Sequence, residues 1–201
     1  VYKNLDLHIG SEIDGINVTN SNFNNNLSVL AKNVIGLNDG ISVVGNGTGN
    51  IVISSNGTIS GTKSNGIKAI NHGALASINM ALNSVEGHDH GIFANNLGSA
   101  GTNITISGQV LGTGINSNGI YLEGSAANIT LLKGSRVIGT KIGIETTKEN
   151  DTILLKGSVE SSNGIAINLR EGNDHLTLDG TSRISGIVYG GPGNDTIEFD
   201  F

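Results

Sequence analysis

At 201 residues the chain is long enough for one large domain with a sizeable core, yet only 14% of it is charged and 3% aromatic, against about 25% charged in average proteins. It has 31 glycines, 1 proline and no cysteine, which excludes a disulfide scaffold and any thiolate metal site and suits a chain that crosses an oxidising periplasm unfolded. A net charge of −6 argues against nucleic acid as a partner, and no apolar run approaches the eighteen or so residues of a membrane span.

In chain order, residues 1–14 read as a lead-in strand or cap. From there a Gly-Ile pair recurs: Gly15-Ile16, Gly40-Ile41, Gly66-Ile67, Gly91-Ile92, Gly119-Ile120, Gly143-Ile144, Gly164-Ile165 and Gly186-Ile187. The successive spacings of 25, 26, 25, 28, 24, 21 and 22 residues lie in the range of a solenoid period. Two residues after each Ile stand Val18, Val43, Ala69, Ala94, Leu122, Thr146, Ile167 and Tyr189, a column that a strand turns to the same inner side. Asn or Asp often precedes the glycine, as in "SNGI" and "NDGI", and these residues tolerate the positive φ of a sharp corner.

Two more strands fit in each period. One alternates apolar residues, as in "NIVIS", "NITIS", "NITLL", "DTILL", "DHLTL" and "DTIEF". The other is a short segment ending in glycine, as in "NVIG", "SVEG", "QVLG" and "RVIG". Three strands and three corners per period predict an all-β fold, a right-handed parallel β-helix of about eight three-stranded coils filling residues 15–201. Stacked at about 4.8 Å, the coils would rise roughly 40 Å.

Between the inward columns the Gly-Ile strand places Asn17, Ser42, Lys68, Phe93, Tyr121, Glu145, Ala166 and Val188 outward. Phe93 and Tyr121 become neighbours on consecutive coils, flanked by Lys68 and Glu145. In a chain with so few aromatics, two on one outer wall suit a protein contact; a loop folded over them is the other reading. A second column, Lys133, Lys156, Asp179 and Asp200, reads as a solvated face.

"GGPGNDTIEF" (190–199) fits the calcium-binding nonapeptide G-G-x-G-x-D-x-U-x. Its relatives, however, recur once per coil and not every nine residues. What returns is an Asn-Asp step: Asn150-Asp151, Asn173-Asp174 and Asn194-Asp195. Each step reads as an Asx turn, although stacked carboxylates repel and Asp151, Asp174 and Asp195 are therefore also calcium candidates. "GHDHG" (87–91) brings His88 and His90 to one face, a zinc or nickel pair without a third ligand at fixed spacing, or an exposed corner loop. Glycoside cleavage needs opposed carboxylates, and the chain carries none of the signatures of the β-helix hydrolases, lyases or serine proteases. The reading is therefore of a non-enzyme without cofactor, with a polysaccharide lyase or hydrolase, or an inert stalk, as the competing readings.

The Gly-Ile coils together with "NITISGQVLG", "NGTISG" and "GGPGNDTIEF" resemble, over nearly the whole chain, the passenger domains of bacterial type V autotransporters. That resemblance implies a β-helix at the bacterial surface or secreted, exported by a C-terminal outer-membrane β-barrel, with residues 15–201 a passenger segment cut at its C-terminus. The Asn-rich, low-aromatic style is similar to passengers of Bartonella, including an angiogenic factor that acts on endothelial growth-factor receptors. It implies a host-cell receptor as partner, no insertion of this segment into a membrane, and no catalytic residues to carry over.

Overall fold

The repeating strands close into a parallel β-solenoid. The computed structural model describes residues 2–7, 14–20 and 24–200, and these hold strands, turns and bends without a helix. Each strand pairs in parallel with its counterpart one coil away, so the strands form three stacks. The first stack runs through Ile16–Asn20, Ile41–Gly45, Ile67–Asn71, His90–Asn96, Asn118–Gly124 and Ile142–Glu145. It ends in the C-terminal halves of Ser158–Asn168 and Arg183–Tyr189. Eight such strands bound about seven complete turns, one fewer than the count of Gly-Ile pairs suggests, because n stacked strands enclose n − 1 returns of the chain. Of the lead-in, Tyr2–Leu7 pairs in parallel with Leu27–Gly36; residues 1 and 8–13 of that segment lie outside the described residues.

Apolar columns from all three stacks fill the interior. Ile41, Ile67, Ile92, Ile120 and Ile144 come from the first stack; Ile53, Ile104, Ile129, Ile153 and Leu176 from the second; Val34, Ile59, Val85, Val110, Val137 and Val159 from the third. All are fully or almost fully buried. Each such side chain stabilises the fold by about 1.5–3 kcal/mol. β-Branched residues dominate because their stiff side chains pack well on a pleated sheet.

The corner glycines serve a different purpose from the one expected. Those of the first six Gly-Ile pairs do not adopt positive φ; only Gly164 and Gly186 do, at 94° and 134°. The earlier ones are needed for space. A Cβ on Gly119 would stand 2.5 Å from Val137 Cγ1 and 2.7 Å from the Gly143 carbonyl, and one on Gly66 would meet Val85 Cγ1 at 2.5 Å and the Gly91 carbonyl at 2.6 Å. The glycine column lets the third-stack valines press against the neighbouring corner.

The last two coils slip relative to the sequence reading, by two residues in the first of them and by one in the second. Ile144 pairs with Ile167, and Ile142 with Ile165. Ile167 then pairs with Val188, and Asn168 with Tyr189, across a bulge. The Gly-Ile pairs at 164 and 186 therefore sit upstream of the column they seemed to continue. Ala166 turns inward and is buried, Val188 packs against the core, and Tyr189, expected inside, is 50% exposed. The outer column is Asn17, Ser42, Lys68, Phe93, Tyr121, Glu145, Asn168 and Tyr189.

Between the first and second stacks, a buried amide ladder turns the corner. Asn71 and Asn96 are in register and fully buried. Asn71 Nδ2 donates to Asn96 Oδ1 at 2.6 Å, and Asn96 Nδ2 donates to the Gly101 carbonyl at 2.6 Å. Their Oδ1 atoms accept the N–H groups of Gly73 (3.0 Å) and Gly98 (2.9 Å).

Candidate functional site

The outer column of the first stack brings Lys68, Phe93, Tyr121 and Glu145 onto four successive coils, in register. Lys68, Phe93 and Tyr121 are half-buried, and Ser42 and Glu145 are buried. Three rings meet at the centre of this wall. Phe93 and Tyr121 have centroids 5.6 Å apart, His90 lies 5.1 Å from Tyr121 and 6.3 Å from Phe93, and all are mutually tilted. Such contacts are worth about 0.5–1.5 kcal/mol beyond burial.

Glu145 is committed inside the wall. Its Oε2 accepts from Asn118 Nδ2 at 2.6 Å, and its Oε1 accepts from Arg170 Nε and Nη2 at 3.0 and 2.8 Å. The same guanidinium reaches back over Tyr121, with Cζ 5.1 Å from the ring centroid, a cation–π contact. Tyr121 Oη donates to Glu123 Oε1 at 2.6 Å, and burial, aided by that carboxylate, pushes its hydroxyl pKa up. His90 Nδ1 accepts the Asn118 N–H at 3.1 Å, which puts the proton of the neutral ring on Nε2. Burial lowers the pKa of His90, against the pull of Asp89 and Glu145.

Arg170 has φ of 67°, the one positive value at a non-glycine among the described residues. Asn168 Oδ1 holds it there by accepting its N–H at 3.3 Å. Asn71 and Asn96 likewise accept the N–H two residues on, from Gly73 and Gly98, but neither glycine takes a positive φ. An arginine accepting the left-handed strain of about 1–2 kcal/mol so that its side chain spans two coils marks the wall as built for rigidity. Arg170, Glu123 and Asn118 escaped the sequence reading, and His90 entered it only as a metal candidate; no feature of the repeat marks the three.

Of the other sequence candidates, His90 belongs to the wall and the rest lie apart from it. His88 Nδ1 and Asp89 Oδ1 pair with each other, exposed, at 3.1 Å, while His90 joins the rings, so the two imidazoles serve different neighbours. An open cleft of about 450 Å³ lies beside them, lined also by Ile115 and Ser117. Asp151, Asp174 and Asp195 stack on successive coils as hydrogen-bond acceptors. Asp195 Oδ1 accepts the Asp174 N–H (3.1 Å), and Asp174 Oδ1 accepts the Asp151 N–H (2.7 Å). Asp151 accepts from Ala127 N–H (2.6 Å), from Thr147 N–H (2.8 Å) and from the Thr147 hydroxyl. The preceding asparagines bond the opposite way. Asn150 Oδ1 accepts the Asn173 N–H at 2.7 Å, and Asn173 Oδ1 the Asn194 N–H at 2.8 Å. Each Asn-Asp step thus ties one coil to both its neighbours. Asp174 Oδ2 is buried without a partner, and burial, together with Asp151 and Asp195, pushes its pKa up to about 6. Burial also raises that of Asp151.

Among the described residues, no group of three or more His, Cys, Asp or Glu is placed to hold a metal ion, and no helix is long and apolar enough to cross a membrane. In the second outer column, the residue in register with Lys156 and Asp179 is Leu132; Lys133 stands one place beyond it. Comparison with known proteins gave no significant match: no family model, no curated protein and no solved structure aligns with the chain.

Proposed function

We propose that the chain is a non-enzymatic host-cell ligand, an adhesin or receptor agonist presented by a secreted or surface-displayed autotransporter passenger. The observation that carries this reading is the half-exposed Phe93–Tyr121 pair on a wall stiffened from beneath by Glu145 and Arg170. Aromatic anchors on a preorganised surface give binding at low entropic cost, because little is left to order on contact. Lys68, one coil away in register with Phe93, adds a charge that steers a partner toward the rings. The partner is a host cell-surface protein, with an endothelial growth-factor receptor as the first candidate. The full-length protein carries a C-terminal outer-membrane barrel for export.

Binding of labelled protein to cultured endothelial cells tests this, with Phe93→Ala/Tyr121→Ala as the variant and circular dichroism as the control for fold. Saturable binding is expected, weakened about tenfold or more in the double variant. Lys68→Glu leaves the ring cluster intact and should slow association. Binding unchanged in both variants moves the site off this wall, and no binding by the parent protein overturns the ligand reading in favour of a stalk or an enzyme.

A further inference from the structure

A second surface feature lies at the corner between the second and third stacks, away from the aromatic wall. Lys133, Arg136, Lys156 and Arg183 line one shallow groove of about 340 Å³, together with Ser135 and Ser158. The chain has 11 Lys and Arg in all against 17 Asp and Glu, so four cations in one groove are a local reversal of the protein's sign. No carboxylate lines the groove. Glu160 is taken up outside it by Arg136, at 3.0 and 2.7 Å. Asp179, in register with Lys156, is held by Thr181 through its N–H and hydroxyl.

The geometry points to a binding site for a linear sulfated polysaccharide along this groove. Arg136, Ser158 and Arg183 follow one another in register on three coils, so the two guanidinium stems stand two strand spacings apart, about 9.5 Å. One tetrahedral anion does not fill that span; a chain with charges repeated along its length does. Arginine forks and lysine ammonium groups suit sulfate oxygens. The floor is open at Gly134, where a Cβ would meet nothing within 4 Å, and Ser135 beneath it has a buried hydroxyl without a partner. No aromatic ring lines the groove to stack a base, as single-stranded nucleic acids require, and no large hydrophobic side chain lines it to anchor a peptide. Hydroxyls, glycines and cations remain, a lining matched to a sugar chain bearing sulfate esters.

Affinity for immobilised heparin is the test, with heparin stripped of its sulfates and single-stranded DNA as the comparison probes. Lys133→Ala/Arg183→Ala removes two exposed cations and leaves the Arg136–Glu160 pair in place. Binding to heparin near 0.15 M salt is expected, about tenfold weaker in the double variant and with a shallower dependence on salt. Phe93→Ala/Tyr121→Ala should bind heparin as the parent does, which separates this site from the wall. Equal affinity for the desulfated polymer, equal affinity for DNA, or an unaltered double variant with native circular dichroism would each overturn the assignment.

Discussion

Two ladders turn corners of the same solenoid with different chemistry. In the Asn71–Asn96 ladder, each side chain is both donor and acceptor, so one amide feeds the next and the surplus donors reach backbone carbonyls. In the Asp151–Asp174–Asp195 ladder, each carboxylate only accepts, so every proton comes from a backbone N–H or from Thr147. The amide ladder is therefore closed and neutral, whereas the carboxylate ladder keeps an unpaired Asp174 Oδ2 and mutual repulsion. A column of identical residues stacks well only if its side chain can satisfy itself.

Four measurements probe that contrast. The largest effect belongs to Asn96→Ala, which leaves the Gly98 N–H, the Gly101 carbonyl and the Asn71 amide without their partner. Denaturant unfolding should show a loss of about 3 kcal/mol. Next come the two matched changes in the carboxylate ladder, whose signs should be opposite. Asp151→Asn removes an acceptor where three donors converge, and should cost about 2 kcal/mol.

Asp174→Asn keeps an acceptor for the Asp151 N–H and removes a raised, repelled charge. The folded pKa of Asp174, about 6, lies above the roughly 3.9 of an unfolded Asp. Between those values the folded state holds a proton that the unfolded chain has released. Stability from this group therefore falls as pH rises through about 4 to 6. The asparagine variant should gain about 1–2 kcal/mol at pH 7.5, allowing for solvent screening, and next to nothing at pH 4. A gain that did not vary with pH would assign the effect to packing instead. The smallest effect concerns calcium. With one oxygen of each carboxylate taken by an N–H group and no three ligands converging among the described residues, neither calcium nor a chelator should move the thermal midpoint, and a rise of several degrees with calcium would restore the cation reading of the Asn-Asp steps.

The strand stacks were legible because the interior demands the same residues each coil: Ile in the first stack, alternating Ile and Leu in the second, Val or Ile before glycine in the third. The final two coils were not. Gly164 and Gly186 carry the local signature of the corner but use positive φ to bend a continuous strand, and sequence alone does not separate a glycine needed for space from one needed for φ. Of the wall, Lys68, Phe93, Tyr121 and Glu145 followed from period-2 alternation. Arg170 did not, because its side chain crosses two coils and its backbone is strained, and neither property belongs to a repeat.

The two-residue slip near Ile165 has a consequence for how such a protein varies. Because strand alternation has period two, an insertion or deletion of even length passes through the stack without exchanging inside for outside. Here the two-residue slip left Ile167 and Leu169 buried, whereas the one-residue offset at the bulge that follows exchanged Val188 for Tyr189 on the outer wall. An odd change would invert every side chain downstream. Diversification of the outer face by length variation is thus filtered by parity, and libraries built with two-residue insertions at the corners should keep the fold while presenting new side chains to a partner.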